Sequence, residues 1–210
     1  MARILVVDDH VVVRDGLKRL LDELPSKPTF GEASSAPEAL QLIKLQPWDV
    51  VVLDISLEDR SGLETLKEIK KIRPKLPVLI LTMHSEGQYA RRAFKAGASG
   101  YITKGSSRSV ILEAIKRVMS GRKYVSPTLA EELVTDIERG VDEATHSILS
   151  DRELEVMRLI GSGKTVGEIA GQLSLSDRTV STYRARILEK MKMRTNAEII
   201  RYAIENKLVD

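Results

Sequence analysis

Over residues 1–120, short runs of apolar and mostly β-branched residues alternate with longer amphipathic stretches, and this alternation restricts the chain more than any other feature. The runs expected to be strands are Ile4–Val7, a weaker stretch at 29–32, Val50–Leu53, Val78–Leu81 and Gly100–Ile102. Helical spacing of apolar residues predicts helices over 11–23, 37–45, 62–72, 88–96 and 107–119. Such alternation gives a parallel sheet flanked by helices, because each step between parallel strands needs a crossover. Several runs are apolar throughout, as a strand is when helices cover both of its faces. The predicted class for this half is α/β, a doubly wound parallel sheet.

The residues at the C-terminal ends of these runs carry the chemistry. Val7 leads into Asp8 and Asp9, Leu53 into Asp54, Leu81 into Thr82, and Thr103 into Lys104. Parallel strands finish at one edge, where doubly wound folds place their ligands, so these five side chains are expected to converge. Three carboxylates close together raise one another's pKa unless a cation sits among them. Hard oxygen donors suit Mg²⁺ or Mn²⁺. In such a pocket Asp54 is set to attack a phosphoryl group, with Thr82 and Lys104 bonding to its oxygens, and the product is an acyl phosphate. A single Asp at a strand end is ordinarily a turn or cap residue; five residues in this pattern on four strands make the case for function. His10 and His84 flank the edge, but a loop histidine is commonly incidental and neither is assigned a role. Trp48, the only tryptophan, is expected to be a core or sheet-edge anchor.

The pattern resembles the receiver domain of two-component response regulators, and the likeness covers residues 1–120. The resemblance implies a flavodoxin-like five-stranded sheet in the order 2-1-3-4-5. It makes Asp8 and Asp9 the acidic pair, Asp54 the phosphoacceptor, Thr82 the switch hydroxyl and Lys104 the phosphoryl-binding lysine. Tyr101 falls on the aromatic switch position, with plain packing as its alternative, and Gly62 on the glycine after the acceptor loop. The metal ligands implied are Asp8, Asp9, Asp54 and the backbone carbonyl of Ser56. Glu58 and Gly105 stand where many receivers have proline.

Beyond the fifth helix, Gly121–Lys123 gives a C-terminal stop signal, Ser126 and Pro127 open a short helix, and 138–147 is polar and broken by Gly140. Residues 121–147 are therefore read as a linker containing a short helix. Ser150 and Glu153 then have capping-box spacing, with Leu149 and Leu154 spaced as a hydrophobic staple. Helices are expected over 151–162, 166–173, 177–191 and 195–206, the second and third joined by the tight turn Ser174–Ser176. That is helix-turn-helix geometry in an all-α domain of four helices, 148–210. On a helical wheel Val180, Ile187 and Met191 form a core stripe edged by Tyr183 and Leu188. Arg178, Ser181, Thr182, Ala185 and Arg186 lie opposite, where a major groove would be. Arg184 lies nearer the core edge and is expected to make a phosphate contact or a surface ion pair. From Arg178 to Arg194 there are six basic residues against the single acid Glu189, an excess that a phosphate backbone attracts.

The segment from Leu149 to Tyr202 resembles the DNA-binding domain of LuxR/FixJ-type regulators, on Leu149–Glu153, Glu168–Ala170, Leu175–Ser176, Thr179–Val180 and Ile187–Met191. Ser181 and Tyr183 depart from the lysine and histidine that many members have there. The resemblance to the NarL/FixJ family of response regulators adds Thr179 to the DNA-contacting set. It implies a sensor histidine kinase that phosphorylates Asp54, a homodimer in the phosphorylated state, and double-stranded DNA as the target.

The absence of cysteine excludes disulfides, thiol nucleophiles and zinc fingers. No apolar run has the length of a signal peptide or membrane span, so the expectation is a cytoplasmic protein with no membrane partner. It is expected not to be an enzyme beyond its own phosphorylation and dephosphorylation. Two other classes compete. A dehalogenase-type phosphatase needs a second acid two residues after its nucleophile, where this chain has Ser56. A constitutive DNA-binding protein would not need the full set of acids, hydroxyl and lysine.

Overall fold

A computed structural model of the protein describes residues 2–24, 27–57, 61–83, 87–138, 145–206 and 208–209. Glu58 and His84 fall outside these residues. The chain divides into two compact units, Met1–Arg139 and Gly140–Asp210.

The first unit is built from β1 (Arg3–Val7), α1 (Val11–Leu21), β2 (Thr29–Ala33), α2 (Ala36–Leu45), β3 (Val50–Leu53), α3 (Gly62–Ile72), β4 (Val78–Thr82), α4 (Gly87–Lys95), β5 (Gly100–Thr103), α5 (Arg108–Met119) and α6 (Pro127–Glu138). Its five strands pair in parallel in the order β2-β1-β3-β4-β5, the expected doubly wound sheet. Strand side chains alternate between the two faces. Leu5, Val7, Val51, Leu53, Val78, Ile80 and Tyr101 pack against α2, α3 and α4, whereas Ile4, Val6, Val50, Val52, Leu79, Leu81 and Ile102 pack against α1 and α5. Both faces are covered, which is why these strands carry no polar alternation.

The unit extends past the expected boundary near residue 120. Tyr124 bridges to Gly100 of β5, and Leu129 is fully buried in the core on the α2–α4 side of the sheet. Ser126 caps α6 through its hydroxyl, which accepts from the Leu129 N–H at 3.1 Å. The helix runs twelve residues, up to the polar tract that begins at Glu138. Trp48 is partly buried, its Nε1 donating to the Leu42 carbonyl at 3.1 Å. Its ring covers Gly31 so closely that a Cβ there would lie 2.1 Å from it.

The second unit comprises a 3₁₀ turn (Thr145–Ile148), α7 (Asp151–Gly161), α8 (Val166–Gln172), α9 (Asp177–Lys190) and α10 (Asn196–Glu205). Ser150 and Thr165 both form complete capping boxes, with Glu153 and Glu168 respectively, and Ser176 and Thr195 cap the other two helices. Each cap is worth about 1 kcal/mol and fixes where its helix begins. The α8–α9 turn passes through Ser174 at φ 52°, a left-handed conformation that lets the chain reverse between the two helices. Val180, Ile187 and Met191 are buried as the wheel predicts. The 3₁₀ turn is tied to this unit by His146, buried, whose Nδ1 lies 2.9 Å from the Tyr202 hydroxyl.

Candidate functional site

Three of the five edge residues are each held by a backbone bond that prolongs the sheet ladder. Asp8 N–H donates to the Ala33 carbonyl at 3.1 Å, Asp54 N–H to Val7 at 2.9 Å, and Lys104 N–H to Thr82 at 2.7 Å. Rigid strands thus fix the backbone of three chemical groups, and side-chain bonds do the rest. Lys104 Nζ lies 2.6 Å from Asp54 Oδ2 and 2.7 Å from Asp8 Oδ2, so one ammonium bridges the ends of β1, β3 and β5. The other Asp54 oxygen accepts the Ser56 N–H at 2.9 Å, and the Ser56 hydroxyl lies 3.4 Å from that of Thr82 on β4. Asp8, Asp54 and Thr82 are buried. Burial is the largest single influence on Lys104 and opposes its charge, but its hydrogen bonds to Asp54 and Asp8 prevail and raise its pKa above the ordinary lysine value.

The acceptor loop is shaped by Gly62. Its N–H donates to the Ile55 carbonyl at 3.0 Å, and a Cβ there would lie 2.5 Å from the Asp54 carbonyl oxygen. Only glycine lets α3 begin this close to Asp54.

The donor set fits a hard divalent cation. Lys104 pairs with the carboxylates of Asp8 and Asp54, and the Asp9 carboxylate beside them adds a further oxygen donor of the kind that a divalent ion takes. Asp8, Asp9 and His10 each offer a ligand atom, all within 4.8 Å of one another. His10 Nδ1 lies 2.6 Å from Asp9 Oδ1 on a largely exposed side chain, so it lies at this edge instead of merely flanking it. Ser56 lies on the loop after Asp54, its N–H turned to the carboxylate. Tyr101 is fully buried on the face of the sheet covered by α2, α3 and α4. A Cβ at Gly105 would meet nothing within 4 Å among the described residues, its chain neighbours apart.

On α9, Arg178, Ser181, Thr182, Ala185 and Arg186 are exposed along one face. Thr179 is half-buried and turned toward the cap, its hydroxyl 2.8 Å from that of Ser176. Thr182 donates to the Arg178 carbonyl at 2.9 Å. Two of the basic residues counted toward a phosphate footprint are engaged within the domain. Arg184 donates to the Asn196 side chain at 2.5 Å. Lys190 pairs with the buried Glu153 at 2.6 Å. Burial pushes the Glu153 carboxyl up, but bonds from Lys190 and Ser150 outweigh it and hold its pKa below the usual value.

Sequence reasoning missed Arg14 and Glu32, which reach the acidic edge from α1 and β2. Arg14 donates to the Asp8 carbonyl at 2.7 Å and to Glu32 at 3.1 Å. An arginine six residues after an acidic strand end, in the opening turns of the next helix, is the only signal that could have pointed to it.

Residues 4–116 match the family model described as response regulator receiver domain, and residues 147–203 match that of bacterial regulatory proteins, luxR family. Response regulator UvrY of Escherichia coli (strain K12) is 34% identical over 209 residues, covering 99% of this chain and 96% of that protein. Response regulator GacA of Pseudomonas viridiflava is 34% identical over 211 residues, covering 100% and 99%. A crystal structure of a two-component response regulator of the LuxR family from Aurantimonas sp. SI85-9A1 superposes with a TM-score of 0.61 at 38% identity, over 65% of this chain and 98% of that one.

Proposed function

Because the chain belongs to the NarL/FixJ family of response regulators, joining a receiver domain to a LuxR-type DNA-binding domain, we propose that it is a phosphorylation-controlled transcriptional regulator whose acceptor is Asp54. A carboxylate oxygen of Asp54 attacks the phosphorus of a phosphohistidine on a sensor kinase, or of a small acyl phosphate. The new O–P bond forms as the donor's bond to phosphorus breaks, and the leaving group keeps the electron pair. Lys104 turns from Asp8 and Asp54 to the phosphoryl oxygens, and the Thr82 hydroxyl donates to them. Asp8, Asp9, Asp54 and the Ser56 carbonyl would hold Mg²⁺ or Mn²⁺, which would supply the positive charge that lets two anions meet. Movement of Thr82 toward the new group, coupled to Tyr101, biases the receiver toward a homodimer, and paired α9 helices then bind double-stranded DNA. Arg178, Ser181, Thr182, Ala185 and Arg186, with Thr179 at the helix start, make the contacts. The protein works in the cytoplasm and turns over no substrate other than its own phosphoryl group.

The observation that carries this reading is the bridging of Asp8 and Asp54 by Lys104 at 2.7 and 2.6 Å, with Thr82 one hydroxyl away through Ser56. Incubation with acetyl phosphate and Mg²⁺ tests it. The wild type is expected to take up label and Asp54→Ala to take up none while keeping its fold. Label that persists in Asp54→Ala would move the acceptor elsewhere.

A further inference from the structure

Asp8, at the turn after β1, is pinned at every polar atom. The Asp8 N–H is taken by Ala33, and its carboxylate by Lys104 and by the His10 N–H at 2.9 Å. What remains is its carbonyl, which points where β1 has already left the ladder; the last bond to β3 is the one accepted by Val7. Arg14 fills that place. One arm of its guanidinium donates to the Asp8 carbonyl at 2.7 Å, while Nε donates to Glu32 Oε2 at 3.1 Å. Glu32 lies on β2 opposite Val6, and its other oxygen accepts Lys18 Nζ at 2.6 Å. The hydrogen bond from Lys18, with that from Arg14, holds the Glu32 carboxyl below its usual pKa against the effect of burial. Glu32 is therefore a fixed anion on the rigid sheet, and Arg14 is the strut between it and the Asp8–Asp9 peptide.

This strut is not what keeps α1 on the sheet, because Leu17 and Leu21 are buried in the core and do so. Its effect falls on the peptide joining the two acids. Rotation of that peptide would swing the Asp9 carboxylate away from that of Asp8. We propose that Arg14, braced by Glu32, is a positioning residue for the divalent-cation site, fixing the direction of Asp9 by gripping the carbonyl of Asp8. The proposal deepens the functional reading of this site and rests on Asp8 and Asp9 holding the cation.

Binding of Mn²⁺ alone to the full-length protein, followed by electron paramagnetic resonance with no phosphodonor present, tests it. Groups that orient metal ligands typically cost roughly tenfold or more in affinity when removed, and that loss is expected for Arg14→Ala. Arg14→Lys keeps the charge, yet one ammonium cannot reproduce the fork, so a loss is expected there too and separates geometry from charge. Glu32→Gln is expected to weaken binding less, and the double variant Arg14→Ala/Glu32→Gln no more than Arg14→Ala alone, because Glu32 acts through Arg14. Melting in the presence of a chelator establishes that each variant is folded, since a purely structural role would lower the melting point and leave the affinity of the folded protein unchanged. A folded Arg14→Ala that binds Mn²⁺ within about twofold of the wild type would overturn the proposal. If that variant does not fold, unchanged affinity in Glu32→Gln overturns it instead. A wild type that binds no Mn²⁺ would sink the cation reading itself, and this proposal with it.

Discussion

Lys104 is the cation, among the described residues, that lets two buried carboxylates face each other across the ends of β1 and β3. Removing one partner of a buried ion pair typically costs about 3–5 kcal/mol, because the charge left behind has neither water nor a counterion. Lys104→Met is expected to lose stability on that order in a chelating buffer and to recover much of it on addition of Mg²⁺, which replaces the missing charge. Chemical denaturation with and without the ion checks this; equal stability under both conditions would mean that the acids relax apart or protonate instead. Asp8, Asp54, Thr82 and Lys104 were legible because each interrupts an apolar run at the same relative place, and a sheet edge converts that coincidence into proximity. Arg14 and His10 were not, because a charged residue on an amphipathic helix, or a histidine in a loop, looks the same whether it faces water or a site.

The elements were legible where caps and periodicity agree. Ser150 with Glu153 announced α7, and Ser176 announced α9, because a side chain that satisfies an orphan N–H leaves a fixed sequence spacing. The edge strand β2 was only faintly marked: just one of its five residues is fully buried, so it needs no apolar run. The packing of α6 escaped notice because the partners of Leu129 lie far away in sequence. A contact between elements also sets a pH limit. Glu153 joins the start of α7 to Lys190 at the end of α9, and its carboxyl is held below the ordinary value of 4.5. The unfolded chain then takes up a proton more readily than the folded one, so this contribution is whole above about 4.5 and is withdrawn as pH falls through the lower folded value. Acid titration followed by helical circular dichroism should show the second unit of Glu153→Gln less stable than the wild type at neutral pH. The difference should narrow under acid; a constant gap would assign the effect to packing alone.

At the scale of the molecule, each compact unit closes a hydrophobic core of its own, two clusters about the sheet in the first and one within the helices of the second. That the chain carries two modules was plain from the change of period near residue 150, whereas the attachment of 121–138 to the first depended on contacts no local pattern records. Independent cores imply separable chemistry. Arg186→Ala is expected to weaken operator binding by about 1–3 kcal/mol, the worth of one bidentate base contact, while acetyl phosphate labels Asp54 as before. Gel-shift titration and labelling on the same preparation check both halves, and a fall in labelling would mean the modules are not independent. The lone indole has a practical consequence. Trp48 rests against Gly31 and the Leu42 carbonyl in the receiver, and no other tryptophan exists in the chain. Ultraviolet-excited emission beyond the tyrosine band is thus a built-in lamp seated in the receiver, where it reports on the packing of α2 against β2.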